Sequence, residues 1–123
     1  PNEVVREALQ KAHIFALPSI WPETSCIAAI EAMSAKCAIV VPDFAALPET
    51  TAGFAITYQM DEDINIHANM FIQVLAQTID QIGTDKLTAR TEFSKAYTDA
   101  FYSWTSRIPQ WNGLLNNVLH SKS

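Results

Sequence analysis

Glycine is scarce in this chain: three residues in 123, alongside six prolines and two cysteines. Neither a Walker loop nor a G-x-G-x-x-G run occurs, so a Gly-rich phosphate cradle is excluded. The cysteines, Cys26 and Cys37, flank one expected helix, and roughly 11 helical residues span about 16 Å, too far for a disulfide. They have no metal-ligand spacing either, and no Asn-x-Ser/Thr sequon is present, so free thiols in a reducing cytoplasm are expected. Basic residues are also few: eight Lys and Arg against 13 Asp and Glu, a net charge of −5. That balance excludes a general phosphate-backbone binder, and no nucleic-acid partner is expected. A nucleotide would have to be held by backbone dipoles and a few local cations. No apolar run approaches the roughly 20 residues of a membrane span, and no signal-peptide pattern opens the chain. No Ser-His-Asp arrangement is evident. His67, on the polar side of a helix, and His120, in a frayed tail, lack partners at metal-ligand spacing, so neither metal nor other cofactor is expected.

What is present suits one folded α/β domain over residues 1–123, with 49% of residues hydrophobic. The chain begins at Pro1 and enters a helix almost at once, which leads to the expectation that it is part of a longer protein. Asn2 is placed to cap a helix over about 3–12, with Val4, Val5, Ala8 and Leu9 as its apolar stripe. His13–Pro18 reads as a short buried strand and 25–36 as a helix. Cys37–Val41 is a continuous apolar strand covered on both faces, stopped by Pro42-Asp43. A loop through Glu49 follows, then a strand at 54–58. The acidic turn at 61–63 caps a helix over 63–81 that ends near Gly83, with Phe71, Val74, Leu75, Ile79 and Ile82 inward. A helix over 85–102 turns Leu87, Phe93, Ala96, Tyr97 and Ala100 inward. Trp104 marks a break before a last helix within 104–119, weakened by Pro109 and Gly113. Strands separated by helices indicate right-handed crossovers and a small parallel sheet flanked by helices. Three strands make a thin sheet, so neighbouring strands are expected outside this sequence.

The most informative feature is a pair of glutamates eight positions apart, Glu23 and Glu31. Glu23 lies in the Pro/Ser loop after the first strand and Glu31 about two turns inside the following helix. They bracket a helix N-terminus, whose free N–H groups favour anions. At about 1.5 Å rise per residue, the carboxylates stand roughly 10 Å apart with room for a phosphate between them. Carboxylates suit the polyol ends of such a ligand, since each accepts hydroxyl hydrogen bonds. In an open α/β sheet the ligand rim is the carboxyl end of the strands, and residues 19–26 and 42–50 both leave that end.

The run Leu17-Pro-Ser…Pro22-Glu23-Thr-Ser-Cys-Ile-Ala-Ala-Ile-Glu31-Ala-Met33, with Ala38-Ile-Val-Val-Pro-Asp43 and Leu47-Pro-Glu49, resembles the C-terminal half of retaining GT-B glycosyltransferases of the family-4 group. The resemblance extends over about residues 1–118, including Tyr102-Ser-Trp104. It implies a Rossmann-like partial domain and a parent enzyme transferring a hexose from a UDP- or GDP-linked sugar with retention. The donor is then a substrate, not a cofactor. By the same resemblance, Glu23 contacts the donor sugar near the reacting centre and is the catalytic-site acid. The backbone of Thr24, Ser25, Cys26 and Ile27 meets sugar and diphosphate, and Glu31 holds the ribose. The partner domain is the N-terminal GT-B domain with the acceptor site, so this chain alone is expected to be inactive. The parent enzyme is expected in the cytoplasm or peripheral to a membrane. This sequence departs from the family pattern at three places. Thr24-Ser25-Cys26 replaces Gly-Phe-Gly, Ala35-Lys36-Cys37-Ala38 replaces a Gly-x-Pro turn, and Ala45-Ala46 replaces Gly-Gly.

Other side chains carry simpler readings. His13 reads as packing or a local hydrogen bond, Asp43 and Glu49 as turn caps on the ligand rim, and Trp21, Trp104 and Trp111 as core or domain-contact residues. Two other functions fit the same residues. One is a non-catalytic interaction module, self-associating as a homo-oligomer through an exposed sheet edge. The other is a GT-B-fold epimerase acting on a nucleotide-sugar.

Overall fold

The structure, a computed structural model, describes residues 2–121. Three parallel strands, β1 (Ile14–Ala16), β2 (Ala38–Asp43) and β3 (Ile56–Gln59), lie side by side in sequence order. Val40 is opposite Ala16 on one side and Ile56 on the other. The helices are α1 (Asn2–Lys11), α2 (Ile27–Ser34), α3 (Leu47–Thr50), α4 (Ile64–Asp80), α5 (Asp85–Phe101) and α6 (Trp104–Ser121).

Alternation along the strands sorts the helices onto two faces. Ile39 and Val41 pack with Ala29, Ala32 and Met33 of α2, with Leu47 of α3, and with Leu9 of α1. The other face carries Val40 and Tyr58, and Tyr58 meets His67 and Phe71 of α4. Because β2 is covered on both faces, its first five residues are all buried.

Pro42 does not stop β2; it pairs opposite Tyr58, and the strand runs on to Asp43. In a parallel ladder alternate residues bond to opposite neighbours. The Ala38 amide donates to His13 and the Val40 carbonyl accepts from Leu17, so Pro42 belongs to the β1-facing set. β1 has ended by then, so the absent N–H costs nothing.

Most boundaries agree with the sequence reading to within two or three residues, with instructive exceptions. Asn2 is already helical and does not act as a cap. α2 is only eight residues long, so Glu31 is its fifth residue, just over one turn in rather than two. The loop after β2 contains a one-turn helix, α3, with Pro48 in its first turn. Asp63 caps α4 by accepting from the Asn65 and Ile66 amides, and Thr84 caps α5 by accepting from Leu87. Gly83, at φ 88, follows the end of α4.

The inward faces of the late helices differ from the apolar periodicity. α5 buries Leu87, Ser94 and Thr98, while Phe93 is exposed. The reason is its neighbour: α5 packs on the Ala-rich α2, and small side chains on both permit close approach. α4 buries His67 and Thr78 and leaves Ile79 exposed, while Ile82 lies just past its end and is partly exposed. α6 is continuous through Pro109 and Gly113 and buries no residue. Trp21, Trp104 and Trp111 are exposed, which removes them from the core.

Candidate functional site

β1 delivers the chain to the carboxyl rim of the sheet, where residues 17–26 form an open loop. The Ser19 hydroxyl and the Trp21 backbone hold one another, and the Glu23 amide donates to the Trp21 carbonyl at 2.9 Å. The Glu23 carbonyl accepts from the amide of Ala46 at 3.1 Å, which ties this loop to the one leaving β2. Two loops distant in sequence thus meet on one rim, as the strand order requires. Glu23 is half-buried, and its carboxylate has no partner among the described residues.

The next four residues enter α2. Thr24 and Ser25 are exposed, Cys26 is buried at the N-cap, and the Ile27 side chain faces solvent. Cys26 has φ −119 and ψ 93, ordinary extended backbone, so a glycine is not needed at the close-approach position. No side chain caps α2, and the Thr24, Ser25 and Cys26 amides donate no hydrogen bond among the described residues. Free amides at a helix entrance favour anions, and here a carboxylate stands next to them.

Glu31 stands apart from this entrance. It borders a cavity of about 490 Å³ between α1, α2 and α5, lined also by Arg6, Leu9, Gln10, Ser34, Lys36 and Lys95. Neither Glu23 nor residues 24–27 line this cavity or the two smaller ones. The two glutamates are therefore not gathered into one enclosed pocket. Asp43, at the end of β2, and Glu49, in α3, are both exposed, and neither side chain caps a turn among the described residues.

The family model for glycosyl transferases group 1 matches residues 1–97. The chain belongs to that family. No curated protein and no solved structure matches it, so the family model alone carries the assignment. Sugar transfer is the chemistry of the group 1 glycosyltransferases, and a parallel sheet between helices is the fold found here. The match ends within α5; Tyr102, Trp104 and the rest of α6 lie beyond it.

Two of the departures from the glycosyltransferase pattern now have a backbone counterpart. Lys36 and Ala45 both hold left-handed φ, 63 and 51, the conformation that favours glycine. This group 1 glycosyltransferase keeps a glycine-type backbone at both turns while placing side chains on it.

The cations around Glu31 were not legible from the sequence, because Arg6, Lys36 and Lys95 come from three separated segments. Lys95 is neutralised by Asp99 at 2.6 Å, and the Ser34 hydroxyl donates to the other oxygen of that carboxylate at 2.6 Å. The bonds from Lys95 and Ser34 hold the Asp99 carboxyl below the usual carboxylate range. Lys36 also borders a small cavity of about 90 Å³ with His13, which is exposed rather than packed in the strand.

Away from the rim, His67 is buried and not on the polar side of α4; its Nε2 meets the Tyr58 hydroxyl at 2.8 Å. Burial pushes the Tyr58 phenol up to about 12. His120 sits in the last turn of α6, its Nδ1 2.7 Å from the Asn116 carbonyl. Both cysteines are free; the Cys37 thiol donates to the Leu9 carbonyl at 3.3 Å, and desolvation raises its pKa. Among the described residues no group of three His, Cys, Asp or Glu is arranged to hold a metal, and no helix is long and apolar enough to cross a membrane.

Proposed function

We propose that this chain carries the donor-binding half of a retaining hexosyltransferase that uses a UDP- or GDP-linked sugar. The observation that carries this reading is the entrance to α2, where the amides of residues 24–26 and the preceding Glu23 carboxylate have no partner among the described residues. A diphosphate there would accept from the amides along the helix dipole, and its developing charge on sugar departure would be stabilised by them. Glu23 would accept hydroxyl hydrogen bonds from the donor sugar, and Glu31, just over one turn inside α2, from the ribose. No metal or other cofactor enters this scheme. The acceptor site belongs to the N-terminal GT-B domain, so the chain alone turns over no substrate.

Calorimetric titration with UDP and GDP tests the reading. Binding is expected in the wild type, lost in Glu31→Ala and retained in Glu49→Ala. Absence of binding at millimolar nucleotide would remove the donor-site reading, and multiple turnovers with a nucleotide-sugar and an acceptor panel would remove the inactivity.

A second reading, a self-associating module derived from such an enzyme, is supported by α6. No residue of this helix is buried, and Trp104 and Leu119 are 77% and 70% exposed. Apolar faces of this kind mark interaction surfaces. Sedimentation equilibrium separates the two: a dimer disrupted by Trp111→Glu, with no nucleotide binding, selects the module.

A further inference from the structure

The donor reading uses Glu31 of the groove between α1, α2 and α5 and leaves its cations unexplained. Three of the chain's eight basic residues, Arg6, Lys36 and Lys95, line it, although the chain as a whole is acidic. Lys95 is taken by Asp99, whereas Arg6 and Lys36 have no hydrogen-bond or ion-pair partner among the described residues. Two uncompensated cations remain, with the Gln10 amide beside them and Leu9 and Ala35 as apolar wall. Glu31 contributes the one carboxylate of the lining that no cation holds.

We propose that this groove binds a small phosphomonoester that also bears a free hydroxyl. A phosphate dianion matches the two unpaired cations in charge, and the guanidinium of Arg6 offers it paired donors. A carboxylate would leave one cation unmatched, and a second anionic group would meet Glu31. A hydroxyl at that end is accepted by Glu31 instead. The cavity, at about 490 Å³, lies within the roughly 300–1,000 Å³ span of small-molecule sites.

Lys36 adds an independent observation. It holds φ 63, where glycine would sit without strain, at the turn where the family pattern has glycine. A lysine there destabilises the turn and supplies a cation to the groove. The proposal does not depend on the donor reading, because Arg6 and Lys36 take no part in that assignment and only Glu31 is common to both.

The test is NMR titration of the full chain with glycerol 3-phosphate and inorganic phosphate, with glycerol as the neutral control. Saturable shifts at residues 6–10 and 34–36 are expected with glycerol 3-phosphate, weaker ones with phosphate and none with glycerol. Arg6→Gln and Lys36→Gly should each weaken binding about tenfold, the scale of one charge-assisted contact, while Lys86→Gln leaves it unchanged. Lys36→Gly should also raise Tm by about 3 °C, so its weaker binding cannot come from unfolding. Vesicles containing lysophosphatidic acid, a phosphomonoester that keeps one free glycerol hydroxyl, separate the sources: co-sedimentation lost in both variants places the ester on a lipid headgroup, and no co-sedimentation places it in solution. Absence of saturation at tens of millimolar, or equal affinity in wild type and both variants, would overturn the proposal. It would also be overturned if UDP displaced glycerol 3-phosphate and lost the same tenfold in both variants, because the groove would then be the nucleotide's own phosphate site. Failure of UDP to bind at all would count against the donor reading and leave the glycerol 3-phosphate result standing.

Discussion

The amide of Ala46 donates to the carbonyl of Glu23 at 3.1 Å, and the residue just before it, Ala45, holds a left-handed φ of 51. The bond fixes the loop that carries Glu23 against the loop leaving β2. The turn that aims the Ala46 amide is held at some cost, since Ala is disfavoured in this conformation. Ala45→Gly is expected to raise stability by about 0.5–1 kcal/mol, the steric relief being partly offset by a more flexible unfolded chain. Urea denaturation should show a higher midpoint with an unchanged slope; a lower midpoint would refute the assignment of strain.

The Tyr58–His67 pair is a buried hydrogen bond joining β3 to α4. Tyr58→Phe strands the His67 ring nitrogen and should destabilise by about 1–3 kcal/mol. The double variant Tyr58→Phe, His67→Leu should recover part of that loss, because both polar partners are then gone. A double-mutant cycle reads the coupling directly. In the wild type the Tyr58 phenol should ionise only near 12, where burial places it, as followed by ultraviolet absorbance.

Ser94 lies on the buried side of α5, the helix that packs on α2, and its hydroxyl has no hydrogen-bond partner among the described residues. Ser94→Ala keeps the close helix contact and removes a desolvated polar group, so a gain of about 1 kcal/mol is expected. Ser94→Leu should instead lose about 1–3 kcal/mol by forcing α5 away from α2. Thermal unfolding of the two variants should move in opposite directions.

Asp99 provides the acid sensitivity of the α2–α5 contact. Its folded pKa is lowered, first by Lys95 and then by Ser34. Its contribution is therefore present above the unfolded Asp value, about 3.9, and lost as pH falls through the lower folded value. Asp99→Asn should be less stable at pH 7 and show a shallower acid limb. The side chain is 47% exposed, so solvent and salt screen the effect. Urea midpoints from pH 7 downward, at two salt concentrations, measure it.

Much of this was legible in the sequence, for reasons that individual residues make plain. The continuous apolar run at β2 required cover on both faces, and α4 announced itself through Asp63 and Gly83, whereas the Thr84 cap of α5 emerged only in the structure. The spacing from Glu23 to Glu31 placed a loop and a helix entrance on the rim, and the family match agrees with the resemblance those residues carry. Helix faces were not legible where contact is made by small residues. Ser94 and Thr98 are invisible to apolar periodicity, while Phe93, which fits it, is 69% exposed. His67 was misread for the same reason, since its burial depends on a tyrosine from β3. The cations near Glu31 depend on tertiary approach of α1 and α5, which no local pattern encodes.

Pro42 sits in β2 with its missing donor turned toward the β1 side. The neighbouring chain therefore finds no hydrogen there with which to continue the ladder beyond Leu17. A proline in one strand thus sets the length of another. It releases residues 18–26 from the sheet and lets them swing across to Ala46. The rim loop that carries Glu23 owes its freedom to an imino acid about twenty residues downstream of it.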